Sequence, residues 1–210
     1  DQGFSHYTQS VRVVEVLEKD GRGLNLTKEV RDGILNHRTA GRPSTLEGCI
    51  VRLSDKIAYI NHDIDDAIRA KIFMEQDLPL KYTNVLGHSV RDRLNNMIYD
   101  IIQQSLDKPQ ISMSPGMEEA MKGLRTWMFE NVYSGGIAKT EEGKAQQLVR
   151  ALYEYYMAHV EELPQEYLRM MADRKETKAR VVCDYIAGMS DIYAIDKFEE
   201  LFVPKAWKIL

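Results

Sequence analysis

Apolar residues recur every three or four positions along almost the entire chain, and this spacing constrains the fold more than any other feature. The clearest example is one uninterrupted stripe formed by Leu46, Ile50, Leu53, Ile57, Ile60, Ile64 and Ile68. Such steps place side chains on one face of an α-helix, whereas a half-buried strand needs alternation with a period of two. Because that alternation is hard to find, the sequence predicts an all-α protein.

Turn residues divide this periodic pattern into segments. Breaks rich in Gly, Pro and Asp delimit predicted helices at about 5–18, 27–39, 45–73, 85–106, 115–133, 140–159, 164–173 and 177–194, with a final segment near 197–203. Ser134-Gly135-Gly136 interrupts the pattern and is the best candidate for a mobile loop.

The overall composition excludes several classes of protein. The 28 Lys and Arg residues against 32 Asp and Glu give a net charge of -4, which provides no footprint for binding nucleic acid. No apolar run reaches the ~18 residues that a membrane span needs. Cys49 and Cys183 lie in apolar helical patterns, so we expect core thiols in a reducing cytoplasm. The chain opens at Asp1 instead of Met, and we expect a segment to have been removed upstream.

The long predicted helix carries a polar face opposite its apolar stripe. At ~100° per residue, an arc of about 100° contains six side chains, those of Arg52, Asp55, Lys56, Tyr59, Asp63 and Asp66. A solvated exterior is the simplest interpretation of this face. Short carboxylates beside a Tyr favour a binding site, however, since Asp is a poor interior helix former and suits hard cations and sugar hydroxyls.

These residues also carry a specific resemblance. The order Asp55-Lys56, Tyr59 and Asp63 resembles the motif that holds the last metal-binding Asp of the HD-superfamily deoxynucleoside triphosphate triphosphohydrolases, in their bacterial dGTPase-like subfamily. Residues 3–10, Gly-Phe-Ser-His-Tyr-Thr-Gln-Ser, and residues 183–191 are similar to further segments of that subfamily. The resemblance covers essentially all 210 residues and implies a multi-helix HD-domain-like architecture.

The resemblance implies roles for four residues of the polar face. Asp55 would be a metal ligand, Lys56 would contact the triphosphate, Tyr59 would pack on the deoxyribose, and Asp63 would accept a hydrogen bond from the sugar 3′-hydroxyl. An ammonium suits a polyanion, and a carboxylate satisfies a hydroxyl. A ring packed against the sugar C2′ atom would also reject ribonucleotides.

The resemblance also implies roles for three residues near the start of the chain. His6 matches a histidine that faces the phosphates and would act as the catalytic donor as charge develops during cleavage. Gln9 and Arg12, further along the same helix, would add donors to the phosphates. His37 and His62 have weaker claims, and we interpret both as helix-end or surface histidines.

A second acidic group lies near the end of the chain. Asp184, Gly188 and Asp191 are expected to share one face of the helix at 177–194, in a sequence so apolar that a buried Asp184 must find a partner. A buried hydrogen bond or salt bridge would explain Asp184. Lining of a base pocket by Asp184 and Tyr185 is the alternative.

The family binds its metal between two His and two Asp, and three of those ligands have no counterpart here. The one His-Asp pair, His62-Asp63, falls in the sugar-contact motif. We therefore expect the amino-terminal part of the HD core to be missing, with 1–75 as its remainder and 76–210 as a helical domain packing on it. A divalent ion such as Mg²⁺ or Mn²⁺ would be incompletely coordinated, and the chain alone would be inactive.

For the intact protein, the resemblance implies metal-dependent hydrolysis of a dGTP-like substrate to a deoxynucleoside and triphosphate. An HD-type nucleotidase acting on deoxynucleoside monophosphates remains an alternative, as does a non-catalytic fragment for nucleotide binding or oligomerisation. The expected partners are a deoxynucleoside triphosphate and further copies of the chain, with no membrane and no strong signal for nucleic acid.

Overall fold

The computed structural model describes residues 3–133 and 136–205, apart from the side chains of 133 and 136–140. Within these residues the chain is helical and contains no strand, which confirms the predicted all-α class. No helix in this part of the chain is both long and apolar enough to cross a membrane.

Helices of very different lengths follow one another along the chain. In order they are α1 (His6–Arg12), α2 (Glu18–Gly21), α3 (Lys28–Asn36), α4 (Leu46–Arg69), α5 (Leu80–Leu86), α6 (Val90–Ser105), α7 (Pro115–Met128), α8 (Gly136–Ala158), α9 (Gln165–Arg174), α10 (Lys178–Ala187) and α11 (Asp191–Phe202). Wider π-helical turns occur at Val13–Leu17 and Phe129–Tyr133, and 3₁₀ turns at Glu75–Asp77 and Val160–Glu162.

The chain divides into two compact units. Among the described residues, unit 1 contains 3–12 and 25–133, and unit 2 contains 13–24 and 136–205. The predicted boundary near residue 75 lies inside unit 1, where α4 shares one hydrophobic core with α5, α6 and α7. Where the HD core ends stays a prediction. The predicted mobile loop at Ser134-Gly135 lies outside the described residues.

Unit 1 buries a charged residue at its centre. The Arg93 side chain is 0% exposed. It donates from Nε to Asn61 Oδ1 of α4 at 3.0 Å, and its terminal nitrogens pair with the Glu75 carboxylate. Asn61 in turn donates to the Ile57 carbonyl at 2.8 Å. Because a buried cation needs such partners, this network links α6, α4 and the turn at Glu75–Asp77.

Unit 1 also contains one very close helix approach. α5 packs on α7 where Gly123 faces the ring of Tyr82. A Cβ atom at Gly123 would overlap this ring. The absence of a side chain at Gly123 therefore sets the separation of these two helices.

The core of unit 2 is rich in tyrosine. Tyr185 lies between Tyr156 and Tyr167, with ring centroids 5.1 and 5.2 Å away in edge-to-face geometry. Its hydroxyl lies 3.3 Å from that of Tyr193. Leu152, Leu163, Met170, Val181 and Val182 belong to the same buried cluster as Tyr156 and Tyr185.

Three predicted helices are broken where the sequence pattern is continuous. The segment at 85–106 is split between α5 and α6 because Gly87 adopts φ +124° and Ser89 caps α6, accepting from Asp92 N at 3.1 Å. The segment at 5–18 changes from α to π geometry after Arg12, and Lys19 has a left-handed φ of 53°.

The helix predicted at 177–194 is two helices, α10 and α11. Gly188 caps the end of α10, and Ser190 caps α11 by accepting from Tyr193 N at 3.3 Å. The expectation that Asp184, Gly188 and Asp191 share a face of one helix was wrong, because the chain changes direction between them.

Two expectations about burial were also wrong. Leu46 and Ile50, at the start of the predicted core stripe, are exposed, and burial begins at Leu53. Cys183 is exposed as well, because α10 turns its neighbours Val182 and Asp184 inward. The apolar stripe of α4 is therefore covered only over its later turns.

Candidate functional site

Helix α4 carries most of the predicted site residues on a rigid element of unit 1. Thr45 caps its start and accepts from Gly48 N at 3.0 Å. The later turns bury Ile57, Ile60 and Ile64 in the core, and α4 packs against α3, α6 and α7. This packing fixes the orientation of the opposite, polar face.

Helix α3 holds the beginning of α4 through a carboxylate. Asp32 accepts from the backbone N and the hydroxyl of Ser44, at 2.7 and 2.8 Å, and from Asn36 at 2.8 Å. The hydrogen bonds from Ser44 lower the pKa of Asp32. Asp32 is thus an anchor for the turn that precedes α4.

Cationic side chains from two helices converge at the polar face of α4. Arg52 donates from Nη2 to the Thr39 carbonyl at 3.2 Å, and Arg125 of α7 donates from Nη1 to the Thr39 hydroxyl at 3.2 Å. Lys56 lies one turn after Arg52, and the positive charges of both arginines lower its pKa. We call Arg52, Lys56 and Arg125 the cation cluster.

The electrostatics of Lys56 reflect this environment. Burial lowers its pKa, and the positive charges of Arg52 and Arg125 lower it further, while Glu118 and Asp55 act in the opposite direction. Three cations that share one surface repel each other, and a polyanion relieves that repulsion. The cation cluster is therefore suited to bind phosphate groups.

The other predicted residues of this face lie close to solvent. Asp55 is exposed, Asp63 is half-buried, and the Tyr59 ring is 57% exposed. His62 is exposed on the same helix, as expected for a surface histidine. The exposed tyrosine ring presents an apolar wall beside carboxylate oxygens, an arrangement able to contact a sugar.

Within residues 3–133 and 136–205, no group of three or more His, Cys, Asp or Glu side chains is placed to hold a metal ion. Among the described residues, Asp55 is the one for which the sequence predicts a role as a metal ligand, and that role stays a prediction. One carboxylate does not fit a catalytic divalent ion, which needs several ligands in fixed geometry. The residues described thus do not form a metal centre by themselves.

His6 belongs to a second group of side chains, on α1 and at the end of α3. Its ring centroid lies 5.2 Å from that of His37 and 5.3 Å from that of Tyr7, both edge-on. The Arg38 guanidinium lies 4.3 Å from the centroid of the Tyr7 ring. His37 follows the last turn of α3 and its Nδ1 is 2.6 Å from the Ile34 carbonyl, as expected for a helix-end histidine.

Gln9 and Arg12 follow His6 on α1, and both are half-buried. Helix α1 packs on α3, which packs on α4. Helix α3 therefore lies between the element that carries His6 and the element that carries Lys56. The roles of His6, Gln9 and Arg12 stay predictions.

Asp184 and Tyr185 lie in the core of unit 2. Asp184 is buried, and its Oδ1 is 3.5 Å from Nε of Arg180 one turn earlier. Burial and the hydroxyl of Tyr193 raise the pKa of Tyr185. These contacts account for both residues as parts of the fold, and their role in a base pocket stays a prediction.

Sequence reasoning missed Arg125 and Thr39. Arg125 lies on α7, far along the chain from Lys56, and no local pattern distinguishes it from other surface arginines. Thr39 lies in the turn between α3 and α4, where a polar residue is ordinary. Only the packing of α7 on α4 brings Arg125 to Lys56.

Comparison with known proteins agrees with this architecture. The phosphohydrolase-associated domain matches residues 111–200. A "Deoxyguanosinetriphosphate triphosphohydrolase-like protein" of Caldanaerobacter subterraneus subsp. tengcongensis is 51% identical over 205 residues, covering 98% of this chain and 60% of that protein. The protein of the same name from Clostridium perfringens strain SM101 is 42% identical, covering 97% of this chain and 61% of its own length. One from Geobacter metallireducens is 29% identical.

The helical fold and the matched domain define the class, that of HD-type phosphohydrolase relatives. Within that class, the chain belongs to the family of deoxyguanosinetriphosphate triphosphohydrolase-like proteins. It spans about 60% of the length of the two curated relatives from Caldanaerobacter and Clostridium.

Proposed function

We propose that the chain is part of a longer deoxynucleoside triphosphate triphosphohydrolase, in which the polar face of α4 binds the substrate. The observation that carries this proposal is the cation cluster, which gathers Arg52, Lys56 and Arg125 directly beside Asp55. The names of the relatives support a dGTP-like substrate.

In this proposal the cation cluster holds the triphosphate. Guanidinium groups present paired donors that match phosphate oxygens, and Lys56 supplies a more compact charge. His6 donates a hydrogen bond to a phosphate oxygen and stabilises the charge that develops as the bond at the α-phosphorus breaks. Gln9 and Arg12 add donors from the same helix.

The deoxyribose is recognised by the remaining residues of the face. Asp63 accepts a hydrogen bond from the 3′-hydroxyl, and Tyr59 packs against the sugar at C2′. Because the added oxygen of a ribonucleotide would collide with that ring, Tyr59 selects deoxyribonucleotides. In the longer protein, Tyr59→Ala is expected to lower the ratio of kcat/KM for dGTP to kcat/KM for GTP. An unchanged ratio would show that Tyr59 does not select deoxyribonucleotides.

A divalent metal is part of the same proposal, with Asp55 as one of its ligands. Such an ion would supply an activated water and polarise the phosphate. The remaining ligands would come from the part of the longer protein that these 210 residues do not span, which is consistent with the length of the relatives. The chain alone is then expected to be inactive.

The test compares the 210-residue chain with the full product of its gene. Each is incubated with dGTP and Mn²⁺ or Mg²⁺, and the products are identified by ³¹P NMR. We expect inorganic triphosphate from the longer protein and none from the chain alone. Asp55→Asn should abolish release in the longer protein, whereas Asp66→Asn, one exposed carboxylate further along α4, should leave it intact.

Other products would contradict the proposal. Release of orthophosphate from a deoxynucleoside monophosphate, with triphosphates untouched, would identify a nucleotidase instead. Triphosphate release by the 210-residue chain alone would show that a metal site forms without further ligands, and the assignment of Asp55 as one of four would be wrong.

A further inference from the structure

Thr39 lies where two arginines of the cation cluster meet. Arg52 of α4 donates to the Thr39 carbonyl, and Arg125 of α7 donates to the Thr39 hydroxyl, both at 3.2 Å. Among the described residues, neither guanidinium forms an ion pair with a carboxylate. The two arginines of the proposed triphosphate site are therefore held by the acceptors of a single residue.

The acceptors that Thr39 offers are electrically neutral. A carboxylate in the same place would hold the guanidinium groups more strongly, but it would also cancel charge that a polyanion needs. A carbonyl and a hydroxyl hold the same groups and leave their charge in full. Each guanidinium has several N–H donors and uses a single one on Thr39, so the others are left for phosphate oxygens.

The position of Thr39 is fixed by the turn between α3 and α4. This turn closes where Gly41 N donates to the Arg38 carbonyl at 2.9 Å. A Cβ atom at Gly41 would lie 2.2 Å from the Asn36 carbonyl oxygen, which shows how closely the turn packs on the end of α3. Thr39 thus presents its two acceptors from a fixed place.

The same turn also contacts the group of side chains around His6. The ring of His37 lies edge-on to that of His6, with centroids 5.2 Å apart. Arg38 follows and lies over the ring of Tyr7. Thr39 is the next residue and contacts the cation cluster. Three successive residues of this turn therefore contact both groups of predicted phosphate donors.

We propose that Thr39 is a positioning residue, which holds Arg52 and Arg125 side by side in the arrangement that binds the triphosphate. This inference rests on the proposed function of the cation cluster. Because like charges repel, two unrestrained arginines would spread apart into solvent, and an arriving phosphate would have to order them again. Hydrogen bonds to Thr39 place both side chains before the substrate binds, so that binding loses less entropy.

The first experiment measures kcat and KM for dGTP with the full gene product. Thr39→Val keeps the shape of the side chain but removes the acceptor for Arg125. We expect KM to rise about three- to tenfold with little change in kcat, because the lost contact acts on substrate and transition state alike. Thr39→Ser retains a hydroxyl and should retain the original KM.

Thr126→Val is the matched control for loss of a threonine hydroxyl. Thr126 is exposed on α7 next to Arg125 in the sequence, and its hydroxyl donates to the Lys122 carbonyl at 3.1 Å. This variant should leave KM unchanged. Circular dichroism verifies that each variant is folded.

The second experiment uses inorganic tripolyphosphate and deoxyguanosine as separate inhibitors of the same enzyme. Thr39→Val should weaken inhibition by tripolyphosphate by the same about three- to tenfold. Inhibition by deoxyguanosine should not change, since the cation cluster contacts the phosphates and not the nucleoside. A general distortion of α4 would weaken both inhibitors equally and would overturn the role of Thr39.

The third experiment asks whether Thr39 acts through Arg125. Arg125→Met alone should raise KM for dGTP. Adding Thr39→Val to Arg125→Met should raise KM no further, because the hydroxyl has already lost its partner. Losses that multiply in the double variant would mean that Thr39 acts on something other than Arg125, which would overturn the inference.

The variants separate failure of this inference from failure of the proposed function. If Arg125→Met raises KM and Thr39→Val does not, the role of Thr39 is wrong and the proposed function stands. A lowered KM in Thr39→Val would show that Thr39 competes with phosphate for the arginines, which also overturns the inference. If Arg125→Met itself leaves KM unchanged, the cation cluster does not hold the triphosphate, and both proposals fail.

Discussion

Helix α4 of unit 1 and helix α10 of unit 2 both place carboxylates within an apolar sequence, but they use them differently. In α10, Asp184 points inward, is buried, and lies beside Arg180 of its own helix. In α4, Asp55 and Asp63 lie on the open side, and Asp55 is close to the cation cluster, whose members come from two different helices.

This difference separates a charge that supports the fold from a charge available to a ligand. A buried ionised group must be compensated by the protein itself, so its partners are already in place. Charges at the surface that repel each other, as in the cation cluster, are compensated best by a ligand. The same contrast holds inside unit 1, between buried Arg93 and partly exposed Lys56.

The largest loss of unfolding free energy is expected for a substitution of Arg93. Arg93→Met removes the partner of Asn61 and Glu75 and should lower the free energy of unfolding by about 3–5 kcal/mol. Arg69→Met, which breaks an exposed ion pair with Asp65, should lower it by no more than ~1 kcal/mol. Urea unfolding followed by circular dichroism measures both. A similar loss in the two variants would contradict the distinction between buried and exposed charge.

The second-largest loss of unfolding free energy is expected for a substitution of Asp184. Asp184→Ala removes a buried carboxylate and its contact with Arg180, and should cost about 1–3 kcal/mol of unfolding free energy. Asp196→Ala, on the exposed side of α11, should stay within ~0.5 kcal/mol. In the longer protein, KM for dGTP should not change with Asp184→Ala. A raised KM in a folded variant would instead support the base-pocket interpretation.

Gly123 tests how closely α7, the helix that carries Arg125, is held to α5. A methyl group at Gly123 collides with Tyr82, so Gly123→Ala should destabilise unit 1 by about 1–3 kcal/mol. Gly116→Ala, in the same helix with open space around it, should be neutral or slightly stabilising. Thermal unfolding of the Gly123→Ala and Gly116→Ala variants shows whether close packing, and not helix propensity, decides the change in stability.

Lys56 should give the smallest change in stability, and in the opposite direction. Its pKa is lowered in the folded chain from an ordinary value of 10.5. Below that value the unfolded chain binds more protons, so the Lys56 contribution to stability improves as the pH rises toward 10.5. Lys56→Met should slightly stabilise the chain at pH 7 and reduce the increase in stability between pH 7 and pH 10. Urea unfolding midpoints at the two pH values measure both effects. A clear loss of stability would mean that Lys56 belongs to the fold.

The sequence predicted what depends on periodicity and on local motifs. The helix at 45–73 was confirmed, with Thr45 as its cap and Ile57 to Ile64 in the core. The polar face of α4 was also visible from spacing alone. Breaks in helices were harder, because at Gly87 and Gly188 the apolar pattern continues across a turn that only backbone conformation and capping define.

Features that depend on distant contacts could not be predicted. Arg125 reaches Thr39 across 86 positions, and nothing near Arg125 in the sequence indicates that contact. Arg93 is a charged residue in the first turn of α6, where the sequence favours exposure, and its burial is possible only because Asn61 and Glu75 converge on it. Both cases require the tertiary fold.

The most direct test of the central claim is triphosphate release from dGTP by the full gene product carrying Lys56→Met, with Lys71→Met as the control for loss of an exposed lysine just after α4. A charge-assisted contact to phosphate contributes about 1.5–3 kcal/mol, so kcat/KM should fall ~10- to 150-fold with Lys56→Met and remain unchanged with Lys71→Met. Equal activity in the Lys56 variant and the unmodified protein would contradict the claim that the polar face of α4 binds the triphosphate.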